Sequence, residues 1–256
     1  MLSCKIIAHR GANQYAPQNT MPAFLKAVEL GADGLETDVH VTRDGELVLC
    51  HNYSIDETSN GLGRISEMTL KDLKSLDFGA NFSRKFRGTP LPSMDEFLAF
   101  CRQSPLRIMN IELKSPKNDI HGIVRKTMDA VARFNLLDKL LISSFDTDLL
   151  LQVKQIEPTC KTALLYPTPQ NSIPFALHPP YALVQKIGAD AVHPHYSFVN
   201  AAMVRRFHKM GVRINPWTVN AMSVVRRLIA LGVDGLITDR PNDVAQLTKK
   251  CATASP

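Results

Sequence analysis

Leu30-Gly31-Ala32-Asp33-Gly34-Leu35-Glu36-Thr37-Asp38 decides the fold of this chain, because the chain uses it more than once. Leu231-Gly232-Val233-Asp234-Gly235-Leu236-Ile237-Thr238-Asp239 repeats it closely, and Ile187-Gly188-Ala189-Asp190-Ala191-Val192-His193 is a third copy. In each, helical periodicity stops at a glycine, the residue best suited to the left-handed conformation at a helix C-terminus. A short apolar run of strand character begins two or three residues later. Repetition of helix, Gly-x-Asp and strand describes a chain of βα units with a parallel sheet.

Working outward from these junctions, eight strands are predicted at 5–9, 34–40, 107–114, 140–145, 162–166, 191–196, 213–219 and 235–239. Amphipathic segments at 21–30, 120–134, 201–210 and 224–231 lie between several of them. Eight alternations in 256 residues favour a closed (β/α)8 TIM barrel over an open doubly wound sheet. The fifth strand, followed by the proline-rich stretch from Pro167 to Pro180, is the least regular. The rhythm also breaks between Thr42 and Ser104. Arg43-Asp44-Gly45-Glu46 reads as a hairpin turn, so 47–50 is expected to pair back on the second strand. Short helices are expected at 69–76 and 93–100. The whole chain reads as one barrel domain, with an insertion of about 52–105 over its C-terminal mouth, where barrel enzymes carry their sites.

Composition narrows the function. Hydrophobic residues make up 45% and charged residues 21%, enough for a large core without disulfides. The longest apolar runs are far too short to span a bilayer, and the first residues lack the features of a secretory signal. The five cysteines are scattered with no C-x-x-C pair, which points to a reducing cytoplasm. Cys50, beside His51, reads as a small buried apolar residue. A net charge of +6 without a long basic run argues against nucleic acid and suits a small anionic substrate. Nothing in the sequence sets an oligomeric state.

The predicted strand ends concentrate chemistry. Side chains two apart on a strand share a face, so Glu36 joins Asp38, and Asn110 joins Glu112 and Lys114. Leu35, Thr37, Val39, Ile111 and Leu113 then face the helices. Burying the carboxylates of Glu36, Asp38 and Glu112 without counter-charge would cost several kcal/mol per ion. A hard divalent cation with oxygen ligands, Mg²⁺ or Ca²⁺, compensates that. The plainer alternative is that Arg10 and Lys114 pair with the glutamates. His9 and His51 are candidate proton carriers, since imidazole titrates near working pH. Arg10, between His9 and Gly11, offers a planar fork for phosphate. His193 and His195 share a face and fit substrate contacts better than a metal pair. Trp217 is expected near the mouth, either in the core or stacked on glycerol or a choline-like head group.

These residues carry a resemblance. Ile7-Ala8-His9-Arg10-Gly11, Ala16-Pro17-Gln18-Asn19-Thr20 and Gly34-Leu35-Glu36-Thr37-Asp38-Val39 resemble the opening of the glycerophosphodiester phosphodiesterase family. The likeness continues through Val48-Leu49-Cys50-His51, Glu57-Thr58-Ser59-Asn60-Gly61, Asn110-Ile111-Glu112-Leu113-Lys114, Trp217-Thr218-Val219-Asn220 and Gly232 to Asp239. It implies a barrel with one divalent metal on Glu36, Asp38 and Glu112, and an acid/base pair of His9 and His51. It also implies phosphate contacts from Arg10 and Lys114, with Trp217 lining the substrate pocket. The implied reaction is hydrolysis of glycerophosphodiesters to sn-glycerol 3-phosphate and an alcohol, by attack of either the adjacent glycerol hydroxyl or water. Two positions depart from the family's pattern: Gln18 replaces a glutamate, and Asn52 an aspartate after His51. Two rival readings remain open: a lysophospholipase D-like barrel using Phe78, Phe82 and Phe86 against an acyl chain, and a binding barrel with impaired catalysis.

Overall fold

The computed structural model describes residues 4–114, 122–165 and 179–253. The chain enters through β1 (Lys5–Ala8), α1 (Met21–Glu29) and β2 (Gly34–Val41), then turns back through β3 (Leu47–Leu49). Helices α2 (Leu70–Lys74) and α3 (Met94–Gln103) precede β4 (Ile108–Leu113) and α4 (Ile123–Phe134). There follow β5 (Leu140–Ser144), α5 (Thr147–Ile156), β6 (Lys161–Leu165), α6 (Tyr181–Ile187) and β7 (Ala191–His193). Helix α7 (Ala201–Lys209), β8 (Arg213–Ile214), α8 (Met222–Leu231), β9 (Gly235–Thr238) and α9 (Pro241–Thr253) complete the order.

All the strands except β3 run parallel, in the order β8-β7-β6-β5-β4-β2-β1-β9. Backbone hydrogen bonds from Asp234 N to Ile214 O, Ile237 N to Pro216 O and Val219 N to Ile237 O join the two ends, so the sheet closes on itself. This is the expected TIM barrel. Strand β3 pairs antiparallel with β2, Val39 opposite Leu49, as the hairpin reading requires.

The repeated junction has a structural reason. Gly31, Gly188 and Gly232 take φ of 79°, 62° and 81° at the helix ends, a conformation that only glycine enters without Cβ strain. The aspartate two residues on then stitches neighbouring strands together. Asp33, Asp190 and Asp234 accept the backbone N–H of Ile6, Thr162 and Ile214 at 2.9, 2.9 and 2.8 Å. Each returns its own N–H to the carbonyl of that same residue. A side-chain acceptor thus satisfies the first unpaired donor of the preceding strand at the N-terminal rim.

Strands β7 and β8 are shorter than the sequence predicts. Pro194 and Pro216 have no N–H to give a regular ladder, and pairing between these two strands continues beyond them as a bridge between His195 and Trp217. The fifth predicted strand forms as β6, while Tyr166 and most of the proline-rich stretch lie outside the described residues. Helix α3 begins with a capping box between Ser93 and Glu96. It buries Phe97 against Phe24 of α1, with ring centroids 4.9 Å apart. Such aromatic pairs contribute roughly 0.5–1.5 kcal/mol beyond their burial. Val48 of β3 and residues of the segment between β3 and α3, Cys50, Ile55, Ile65, Leu73, Phe78 and Leu91, build a small core of their own. Cys50 sits within it, and burial pushes its thiol up to about 11, so it is packing rather than a nucleophile.

Candidate active site

Register assembles the acidic cluster. In the β2–β4 ladder Glu36 lies opposite Asn110 and Asp38 opposite Glu112, all on the face that points into the barrel. The alternate residues Leu35, Thr37, Val39, Ile111 and Leu113 are buried on the other face, as two-residue periodicity demands. Glu36, Asp38 and Glu112 are themselves buried, and each offers an oxygen within 4.8 Å of the others.

Two cations lean on this cluster. Lys114 Nζ stands 2.6 Å from Glu112 Oε1 and 3.1 Å from Asp38 Oδ1. Arg10 Nε is 3.5 Å from Asp38 Oδ2, and the Arg10 backbone N–H donates to Glu36 Oε2 at 2.9 Å. Asn19 Nδ2 donates to Asp38 Oδ2 at 2.8 Å. The alternative pairing of Glu112 with Lys114 therefore exists, but it leaves three carboxylates facing two cations. Burial, together with the charges of Asp38 and Glu112, pushes Glu36 well above the ordinary carboxylate range. Burial and Asp38 lift Glu112 to about 7. Asp38 is held well below its usual value, because Lys114 and Arg10 outweigh its burial. The cluster holds more acid than its own cations keep ionised, and its all-oxygen donor set fits a hard divalent ion.

The histidines stand at neighbouring strand ends. His9 follows β1, and its Nδ1 lies 2.7 Å from Asp239 Oδ1. Asp239 is in turn held by Asn13 Nδ2 at 2.7 Å and Asn220 Nδ2 at 2.5 Å. Burial lowers the His9 pKa, opposed by the hydrogen bond to Asp239. His51 follows β3, with Nδ1 2.6 Å from Asn52 Oδ1. Burial depresses His51 to about 4. Between them the chain turns through Arg10 and Gly11, both with positive φ (54° and 77°). A Cβ on Gly11 would lie 2.7 Å from the Ala23 carbonyl carbon, so α1 packs where only glycine fits. Arg10 Nη1 donates to Gln18 Oε1 at 2.6 Å. The amide at position 18 thus still positions the guanidinium.

His9, Arg10, Glu36, His51, Glu112, Lys114 and Trp217 all line one cleft at the C-terminal ends of the strands, whereas Asp38 is buried and is not part of its lining. Trp217 belongs to the mouth: its Nε1 donates to the His193 carbonyl at 2.7 Å, and its ring meets Phe145 edge-on at 5.9 Å. The pair His193 and His195 does not converge on that cleft. His193 is wholly buried, and burial drives its pKa down to about 3, whereas His195 bonds Ser197 at 2.8 Å and packs edge-on against Trp217. Among the described residues, Glu36, Asp38 and Glu112 form the one group able to hold a metal. Sequence reasoning missed Asp239 as the partner of His9. Its signal was present: it ends the last copy of the repeated junction, beside the strand that ends in His9.

A family model described as the glycerophosphoryl diester phosphodiesterase family matches residues 9–243. The chain belongs to that family. It is accordingly a phosphoric diester hydrolase. The chain is 37% identical over 245 residues to a glycerophosphodiester phosphodiesterase of Caldanaerobacter subterraneus, covering 96% of this chain and 98% of that protein. It is 31% identical over 248 residues to a glycerophosphodiester phosphodiesterase of Bacillus altitudinis, again with 96% and 98% coverage. The crystal structure of a glycerophosphodiester phosphodiesterase from Agrobacterium tumefaciens superimposes with a TM-score of 0.80 at 26% identity, covering 95% of this chain and 99% of that one. Family membership extends over the whole constellation, from His9 to Asp239.

Proposed function

We propose that this family member hydrolyses glycerophosphodiesters to sn-glycerol 3-phosphate and an alcohol, with one Mg²⁺ or Ca²⁺ held by Glu36, Asp38 and Glu112. The observation that carries this reading is the convergence of three buried carboxylates, two of which, Glu36 and Glu112, line a cleft that also holds two imidazoles and two cations. Asn110 Oδ1 and Ser143 Oγ, which line the same cleft, are buried without a hydrogen-bond partner among the described residues and are free to meet a bound ligand.

When bound, the divalent ion supplies Lewis-acid stabilisation of negative charge on the diester oxygens. Arg10 and Lys114 hold the phosphate between them, the first with a fork already set by Gln18. His9 takes the proton of the attacking group, water or the adjacent glycerol hydroxyl, at Nε2, because Nδ1 is engaged by a carboxylate that stabilises the imidazolium so formed. On the second route a water then opens the cyclic phosphate to sn-glycerol 3-phosphate. His51 delivers a proton to the departing alkoxide, the negative charge of the bound diester favouring the imidazolium that burial alone disfavours. Each transfer contributes roughly 10²–10⁴-fold. Trp217 and Phe145 present their rings to the non-reacting part of the substrate.

A lipid substrate is the second reading, favoured by Phe82, which is 44% exposed, and by Phe86 beside it at 5.6 Å. Phe78 does not join them, being buried in the small core. The deciding assay measures glycerol 3-phosphate release from glycerophosphocholine with Mg²⁺, Ca²⁺ or chelator, alongside choline release from lysophosphatidylcholine. Release of glycerol 3-phosphate that chelation abolishes is expected. No release from any head group with either ion would refute the proposal.

A further inference from the structure

His51 is held by Asn52, and an asparagine side chain has two ends of nearly equal shape and opposite hydrogen-bonding character. Only a second partner can tell those ends apart. In this chain that partner is Glu57: Asn52 Nδ2 donates to Glu57 Oε2 at 2.8 Å. An ionised carboxylate only accepts, so it must face the amide NH₂, and the amide oxygen is left facing His51 Nδ1 at 2.6 Å. The loop that carries Glu57 is anchored. Ile55 is fully buried, its N–H donates to the Gly63 carbonyl at 3.0 Å, and Thr58 N–H closes back on the Ile55 carbonyl at 3.1 Å.

We propose that Glu57 is a positioning residue for His51: through Asn52 it keeps the proton of that imidazole on Nδ1 and directs Nε2 toward the cleft. The proposal rests on the reading that His51 transfers a proton, and it holds whichever way the proton moves. To accept, neutral His51 needs its lone pair on Nε2 and hence its proton on Nδ1. To donate, the imidazolium needs an acceptor for its Nδ1–H. Reversing the amide sets its NH₂ against Nδ1 and defeats both. An aspartate at position 52 would accept in either orientation and need no such partner. The amide at 52 and the acid at 57 are therefore a matched pair.

Glu57→Lys replaces a pure acceptor with a pure donor and should reverse the amide. Expected is a fall in kcat of about ten-fold or more, part of what a positioned proton carrier contributes, with KM unchanged and the same melting temperature. In Asn52→Asp/Glu57→Lys the carboxylate accepts from both sides, and kcat should return to within about three-fold of wild type, since a single charge-assisted contact is restored. ¹⁵N spectra of labelled histidine, taken at alkaline pH, should show His51 protonated on Nδ1 in the wild type and on Nε2 in Glu57→Lys. An unchanged tautomer in Glu57→Lys, or a double variant as slow as the single one, would overturn the proposal. The tautomer is read without substrate, so failure of the wild type to cleave glycerophosphodiesters would sink the functional reading and leave this one to be decided by the spectra.

Discussion

His9 and Asp239 stand 230 residues apart in the chain, and their side chains meet with Nδ1 2.7 Å from Oδ1. Barrel closure makes them neighbours. Strands β1 and β9 pair in parallel with Ala8 opposite Thr238, so the next residue of each emerges side by side at the C-terminal rim. Asn13 and Asn220 clamp the carboxylate from two further loops.

If Asp239 stabilises the imidazolium of His9, Asp239→Asn should lower kcat by roughly 10²-fold or more, within the range a general base contributes. Stability should fall modestly, because the amide keeps one acceptor oxygen but sets its NH₂ against one of the donors that clamp the carboxylate. Steady-state kinetics with a thermal melt will check this, and a variant within two-fold of wild-type kcat would show the pairing to be idle.

Glu36 is the least comfortable carboxylate in the cleft, raised by burial and by its acidic neighbours. A carboxyl with a raised folded pKa destabilises the fold as pH climbs past its unfolded value. Glu36→Gln should therefore stabilise the chelated protein at neutral pH. It should also remove most of the rise in melting temperature that Mg²⁺ or Ca²⁺ gives the wild type. Differential scanning with and without chelator separates the two effects. A destabilised, still metal-responsive variant would contradict the assignment of Glu36 as a ligand.

Lys114 is largely shielded from solvent, and Asp38 and Glu112 keep its pKa above the ordinary lysine value despite that. Lys114→Met leaves both carboxylates short of a counter-charge and should cost roughly 3–5 kcal/mol in the metal-free protein. Added divalent cation should recover part of the loss. Urea unfolding in chelator and in Mg²⁺ measures it, and a loss below about 1 kcal/mol would mean that the pair is effectively solvated.

His193 is neutral in the fold. Asn215 Nδ2 meets its Nε2 at 3.1 Å, and burial lowers its pKa to about 3. Unfolded, the ring binds a proton below its ordinary value of 6.5. Between those pH values the unfolded state carries the extra proton, so stability falls as pH drops, by up to about 1.4 kcal/mol per unit from this residue. His193→Gln should flatten that acid limb relative to wild type. Parallel limbs in the two pH–stability curves would show that the residue stays solvated.

Much of this was written locally. The three Gly-x-Asp junctions announced the βα rhythm, because a helix end and a strand start each impose their own period on adjacent residues. Two-residue alternation placed Glu36 with Asp38 and Asn110 with Glu112 on one face, and strand-end position singled out His9, His51 and Arg10. His193 and His195 also share a face by spacing, yet one is packed core and the other lies against Trp217. Phe78, Phe82 and Phe86 read as one apolar set, and the small core took the first of them.

What the sequence alone determined is therefore whatever follows from the geometry of a single segment: its period, its caps and the face each side chain takes. The tertiary structure decided which segments meet. Asp239 became the partner of His9 only when the last strand closed on the first, and Glu57 came to orient Asn52 only when the loop folded over Ile55. Periodicity is a property of neighbours along the chain, whereas closure depends on the register of every strand between them, and no single stretch of sequence carries that sum.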